Sequence, residues 1–153
     1  RVELVTVVPA PVTVVWGIVS DYARYAEWFP DQKASAVLST NGPVWHISGT
    51  VHLPFPLADR NFELTQTHTD PVVDGEQHHA QSWSYIPGSG NIVSSTGFAY
   101  VMPWQGNPQR SLVRMVVVAD FGVHVPDFVL NWGARRMMRR VAAALNARAH
   151  TGR

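Results

Sequence analysis

The 153-residue chain contains no cysteine. Disulfide bonds, thiolate metal sites and a cysteine nucleophile are thereby excluded. The compartment stays open, because a cysteine-free chain suits reducing and oxidising surroundings alike. Charge is also scarce: 15% of residues are Asp, Glu, Lys or Arg, and the net charge is +1 with histidine neutral. No nucleic-acid partner held by bulk electrostatics is expected. No apolar run approaches the roughly 20 residues of a membrane-spanning helix. Glycine-rich phosphate loops are missing. Gly88-Ser89-Gly90 reads as a turn, since neither a G-x-S-x-G motif nor its strand-turn-helix setting surrounds it. No initiator Met precedes Arg1, so the expectation is that upstream residues have been removed and that targeting signals cannot be read. A soluble, cytoplasmic setting is the default, with no compartment assigned.

Apolar residues are plentiful at 46%, with six Trp, six Phe and four Tyr, which is a globular composition with more large aromatics than a small core readily houses. Seven histidines invite a metal hypothesis, but their spacing opposes it. His78 and His79 are adjacent, so on a strand they point to opposite faces, and His46 and His52 stand roughly 20 Å apart along one. Neither a metal nor another cofactor is expected.

The order of elements follows from periodicity and turn chemistry. Residues 1–8 read as a Val-rich strand, broken by Pro9 and Pro11. Two short helices follow, over Val12–Val19 and Tyr22–Trp28, with Asp21 expected to cap the second and Pro30 ending it. From about Ala34 to Phe121 the chain alternates as strand after strand, separated at Asp74-Gly75, at residues 87–90 and at Gly106-Asn107-Pro108. Short turns between successive strands imply an antiparallel meander. After Pro126 a helical pattern runs to about Ala149, with Leu130, Ala134, Met137, Met138, Val141 and Leu145 on one narrow arc. The prediction is a single α+β domain over residues 1–153: about seven antiparallel strands curved around one long carboxy-terminal helix. That helix is the only large element available to cover the sheet.

Three stretches resemble a known family. Asp21 to Pro30, DYARYAEWFP, is similar to a D-x3-Y-x2-W signature after the first helix. Pro54 to Phe62, PFPLADRNF, is similar to P-(L/F)-x-x-R-D-(F/Y), with Ala58-Asp59-Arg60 replacing a plain Arg-Asp pair. Asp120 to Asn131, DFGVHVPDFVLN, is similar to D-x-x-G-x-(I/L)-P-x-x-(L/I)-(V/I)-N. Each motif alone is weak, but their order across nearly the whole chain resembles START lipid-transfer domains within the helix-grip (SRPBCC) superfamily, which also includes birch-pollen-allergen-like proteins and polyketide cyclases. The resemblance implies a hydrophobic cavity for a sterol, phospholipid or related ligand, with binding or lipid transport as the activity and no catalytic residues. It also implies, as alternatives, a cyclase or aromatase on the same scaffold or a ligand-sensing regulatory domain.

If each strand's more apolar side faces the helix, Trp45, Ile47, Phe62, Leu64, Met115 and Val117 line such a cavity, beneath Leu130, Ala134, Met137, Met138 and Val141. The alternative is a solid core. Gln66 and His68 share the face of Phe62 and Leu64 and need partners there. A ligand hydroxyl or head group would serve, and so would a neighbouring strand or a bound water. An enzyme would need convergent acid and base groups, for which Gln66, His68 and Tyr100 are the candidates. The alternation of Trp83 and Tyr85 with Ser82 and Ser84 does not decide which pair faces inward. Asp59 and Arg60 read as a structural ion pair, and Asp120 as a turn or capping residue. On the last helix, Arg135, Arg136, Arg139 and Arg140 share an arc with Phe128 and Trp132. That arc is either a solvated face or a membrane-docking one carried by Trp132, Arg135 and Arg139. The expected partners are a lipid or other hydrophobic small molecule and, transiently, a membrane, with the protein a monomer.

Overall fold

A computed structural model describes residues 1–151. Strand β1 (Val2–Val8) leads into helix α1 (Val12–Val19), a 3-10 turn (Tyr22–Arg24) and helix α2 (Tyr25–Trp28). Strands β2 (Gln32–Asn41), β3 (Val44–Val51) and β4 (Arg60–Thr69) follow. A small hairpin of β5 (Val72–Val73) and β6 (Glu76–Gln77) precedes β7 (His79–Tyr85), β8 (Ser94–Trp104), β9 (Asn107–Asp120) and the long helix α3 (Asp127–Thr151). Seven strands form one sheet in the order β1-β9-β8-β7-β4-β3-β2, every pair antiparallel. The predicted α+β architecture is the observed one, with α3 packed on the sheet.

Local chemistry explains most boundaries. Pro11 stands at the start of α1 with an extended backbone, and its carbonyl accepts from the Val14 and Val15 amides. Asp120 ends β9 by accepting the Gly122 amide at 2.8 Å, so its turn role is observed. Asp21 corrects an expectation: its side chain caps nothing and instead faces Arg24 at 3.6 Å.

The helix-bearing face of the sheet has two halves. Over β1, β9 and β8 the packing is dry: Leu4, Val8, Ala99, Val101, Val113 and Met115 meet Val15, Ile18 and Val19 of α1 and Met138, Val141, Leu145 and Ala149 of α3. Fully buried side chains such as Val141 and Leu145 each contribute on the order of 1.5–3 kcal/mol of burial free energy. Coverage is shared, because α1 sits over β8 and β9 while α3 runs along β1 and touches α1 and α2. Two ion pairs fix the carboxy-terminal part of α3, Arg140 to Asp31 at 2.7 Å and Arg148 to Glu27 at 3.2 Å. The first turns of α3 are exposed on every side, Leu130 included at 46%.

Candidate functional site

The other half of that face, over β7, β4 and β3, is walled by aromatics that stay half-buried. Strand register sets them in rows. Trp45 on β3 pairs with Gln66 on β4, and Gln66 with Trp83 on β7. One step toward the sheet end, Ile47 pairs with Leu64 and Leu64 with Tyr85. In the opposite direction, His68 pairs with Gln81. Buried Ile47 and Leu64 therefore lie among Trp45, Phe62, Trp83 and Tyr85, which remain partly open, with Tyr22 and Tyr25 closing one side. Trp83 and Tyr85, not Ser82 and Ser84, face this cleft.

Two glycines give the wall its shape. A Cβ on Gly97 would lie 2.2 Å from the Val116 carbonyl oxygen and 2.4 Å from the Trp83 ring, so the indole lies flat over β8 only because residue 97 has no side chain. A Cβ on Gly49 would meet the Phe62 ring at 2.8 Å, and Phe62 spreads across β3 for the same reason.

The floor carries a polar cluster. Tyr22, 1% exposed, reaches from the 3-10 turn over the His68–Gln81 pair. Its hydroxyl donates to Gln81 Oε1 at 2.6 Å and lies 2.5 Å from His68 Nε2. A phenol has one proton, and it points at Gln81; the Tyr22 oxygen therefore accepts from His68 Nε2–H. His68 is thereby the Nε2–H tautomer, with Nδ1 a bare acceptor. Burial holds the His68 pKa below the usual histidine value, reinforced by His79 and opposed by Asp70. Burial also pushes the Tyr22 phenol far above the usual tyrosine range, with Tyr25 adding to the shift. Tyr25 is raised too, chiefly by burial, and its hydroxyl donates to the Val19 carbonyl. The His68 ring stacks on Trp45 at 5.1 Å and meets the edge of Trp16 at 5.4 Å, while Trp16 stacks on His79 at 5.0 Å. Gln66, 4% exposed, has a carboxamide oxygen that is buried without any hydrogen-bond partner among the described residues.

Two hollows of about 240 and 220 Å³, both open to solvent, lie elsewhere. One sits between α1, α2 and Arg148, and the other over Ala36, Ser48, Asn61 and Glu63 on the opposite face of the sheet. The first gathers Asp21, Arg24 and Arg148 beside Val14, Ile18 and Trp28, but its charges are engaged in surface ion pairs, Arg24 with Asp21 and Arg148 with Glu27. The aromatic face over β3, β4 and β7, where the sequence-predicted residues gather, is the candidate.

The sequence profile of the family described as "Polyketide cyclase / dehydrase and lipid transport" matches residues 8–146. The chain belongs to this family. No curated protein matches it. Solved structures share its fold at low identity. A STAR-related lipid transfer protein from Xanthomonas axonopodis is 17% identical with a TM-score of 0.80, covering 96% of this chain and 84% of that one. The human StAR-related lipid transfer protein 5 is 14% identical with a TM-score of 0.78, covering 95% and 73%. The Zhui aromatase/cyclase from Streptomyces sp. R1128 is 17% identical with a TM-score of 0.73, covering 97% and 92%. The helix-grip fold of START-like proteins is thus shown, and both lipid transport and cyclase chemistry occur on it.

On this family scaffold the residues singled out from the sequence divide. Trp45, Ile47, Phe62, Leu64, Gln66 and His68 come together in the cleft. Met115, Met138 and Val141 lie in the dry core, with Val117 and Met137 packed at its edge. Ala134 is half-buried, and Leu130 projects into the open. Trp132 is 60% exposed, and Arg135 and Arg139 are exposed beside it.

Two expectations are corrected. Asp59 and Arg60 do not pair with each other: Asp59 binds Lys33 at 2.7 Å and His52 at 3.1 Å, which holds its carboxyl below the usual range. Arg60 instead donates to the Phe121 and Ala58 carbonyls at 2.9 and 2.7 Å. Tyr100 does not converge with Gln66 and His68. On β8 it alternates with inward Ala99 and Val101, and its hydroxyl meets buried His78 at 2.6 Å on the opposite face. Tyr22, Tyr25 and Gln81 belong to this site and were not singled out, while Trp83 and Tyr85, left open against Ser82 and Ser84, face it. Tyr25 lies in the D-x3-Y-x2-W stretch, which was the one signal for it.

Proposed function

We propose that this protein binds an apolar, lipid-like molecule in the cleft between β3–β4–β7 and the amino-terminal half of α3, and carries it without altering it. The observation that supports this most is the contrast within one sheet face: a dry core on one side, and beside it an aromatic wall left half-covered over a buried polar floor. Aromatic walls with a few placed polar groups are the usual make-up of small-molecule sites. Access is by movement of residues 86–91 and 121–127 against α3. Arg60 latches the second of these loops through the Phe121 carbonyl. Native mass spectrometry of purified protein, before and after organic extraction, is the test. An extractable apolar adduct is the expected result; protein that neither carries nor takes up any apolar molecule would sink the reading.

The exposed end of α3 suits membrane contact during loading. Phe128 and Trp132 are 74% and 60% exposed, and Arg135 and Arg139 stand near them. Co-sedimentation with vesicles containing anionic lipid should weaken on Arg135/Arg139→Glu. Indifference to both lipid charge and substitution would leave this face merely solvated.

A cyclase or aromatase is the second reading, favoured by one observation: His68, kept neutral, is a base facing an apolar cleft. It lacks an acid to work with. The Tyr22 proton is already donated to Gln81, the phenol holds it tightly, and Tyr100 faces the other way.

A further inference from the structure

The floor of the cleft says what kind of group belongs there. Gln66 Oε1 is a buried acceptor with no donor, flanked across the strands by Trp45 and Trp83. Two residues along the same strand face, half-buried His68 offers Nδ1 as a further acceptor, because its Nε2 proton is used on Tyr22. Leaving a buried acceptor unmet costs roughly 1–3 kcal/mol, so a bound molecule that supplies a donor gains that much over one that cannot.

Charge narrows the choice. Beside Gln66 the register places Trp45, Trp83, His68 and Gln81, none of them a cation while His68 is neutral. The cation on this face of β4, Arg60, stands six residues along the strand and is held by the Phe121 and Ala58 carbonyls. A carboxylate or phosphate at Gln66 would therefore be buried without a cation. The carboxylate that acts on His68, Asp70, is paired with His79 at 2.7 Å and is 60% exposed, so it lies at the rim and not on the floor. An ammonium would lose its water there without meeting an anion. A hydroxyl carries no charge and both donates and accepts, which lets it meet the Gln66 carboxamide at either end.

Resting on the cleft reading above, we infer that the ligand is an uncharged alcohol or phenol that enters hydroxyl first and donates to Gln66 Oε1, with its apolar body between Trp45, Phe62, Trp83 and Tyr85. The orientation has a consequence. The polar end lies deepest and the apolar end points to the open side of the cleft, below the exposed first turns of α3.

The experiment uses four probes of one chain length at concentrations below micelle formation: 1-dodecanol, 1-methoxydodecane, dodecylamine and dodecanoate. Binding is read by calorimetry and by the fluorescence of the tryptophans. The alcohol should bind the wild-type chain roughly ten-fold more tightly than its methyl ether, the factor that one buried hydrogen bond supplies. Gln66→Met, close in volume and unable to accept strongly, should bring that ratio close to one. Equal binding of alcohol and ether to the wild-type chain would overturn the inference, as it would if Gln66 were satisfied by water alone. Preference for the amine or the carboxylate would overturn it too, as would an alcohol preference that survives Gln66→Met. In each of those cases the apolar cleft itself would stand. Failure of all four probes to bind would instead count against the cleft reading, and the inference would fall with it.

Discussion

The two halves of α3 are made of similar residues and meet different surroundings. From Met138 onward an apolar residue every third or fourth position is buried against β1 and α1, and Arg140 and Arg148 pin the helix to the α2 region. Before Ala134 the same arc continues through Leu130, yet nothing covers it. The sheet shows the same division. Where α1 and α3 fill the space, strands β1, β9 and β8 carry Val, Ala and Met; where they do not, β7, β4 and β3 carry Trp, Phe, Tyr, Gln and His. Amphipathic patterning shows which side of an element faces inward. It does not show whether something solid or something removable fills the space.

The strongest way to break this comparison is to truncate the same side chain in both halves of α3. Leu145→Ala should destabilise the fold by about 2–5 kcal/mol in urea titration, because it opens a void in a dry core. Leu130→Ala should change stability by less than about 0.5 kcal/mol, since that side chain is already half in solvent. Similar losses at both positions would mean that the helix is packed along its whole length.

A second substitution asks whether the aromatic half has a fixed shape. Gly97→Ala places a methyl group against the Val116 carbonyl and the Trp83 ring, and should cost about 1–3 kcal/mol while displacing the indole. Near-ultraviolet circular dichroism and urea titration together check it; unchanged spectra and unchanged stability would show that Trp83 does not lie where described.

The element order and the buried stripe from Met138 to Leu145 were legible in the sequence, because each rests on local periodicity. Half of the cleft was legible as well: Phe62, Leu64, Gln66 and His68 follow from alternation along one strand. Tyr22 and Gln81 were not, because they meet His68 through a 3-10 turn and a strand pairing that no local pattern encodes. The same reason explains Asp59 and Arg60. Neighbours in sequence, they diverge because Lys33, His52 and the Phe121 carbonyl come from elsewhere in the chain. Leu130 was expected from periodicity to line the cavity; the apolar stripe persists past the point where the sheet is packed against α3, and the side chain is 46% exposed.

Acid should separate the halves next. The His68 pKa is depressed in the folded chain, so below the usual histidine value of 6.5 the unfolded chain binds more protons than the folded one. The stability tied to neutral His68 is therefore present above that value and lost as pH falls through the folded pKa. Unfolding free energies measured from pH 7.5 down to pH 5 should decline, and His68→Phe should flatten part of that decline. An identical slope in the variant would remove His68 from the account. The smallest effect is expected at the exposed Arg140–Asp31 pair, where a double-mutant cycle should give at most about 1 kcal/mol.

The central claim is that the half-covered face of the sheet is a binding cleft, and nuclear magnetic resonance tests it most directly. With 1-dodecanol titrated into ¹⁵N-labelled protein, the indole signals of Trp45 and Trp83 and the side-chain amide of Gln66 should shift together and saturate, while Trp104 stays unchanged. Shifts confined to the exposed Trp132 and its neighbours, with Trp45, Trp83 and Gln66 unmoved, would contradict the account.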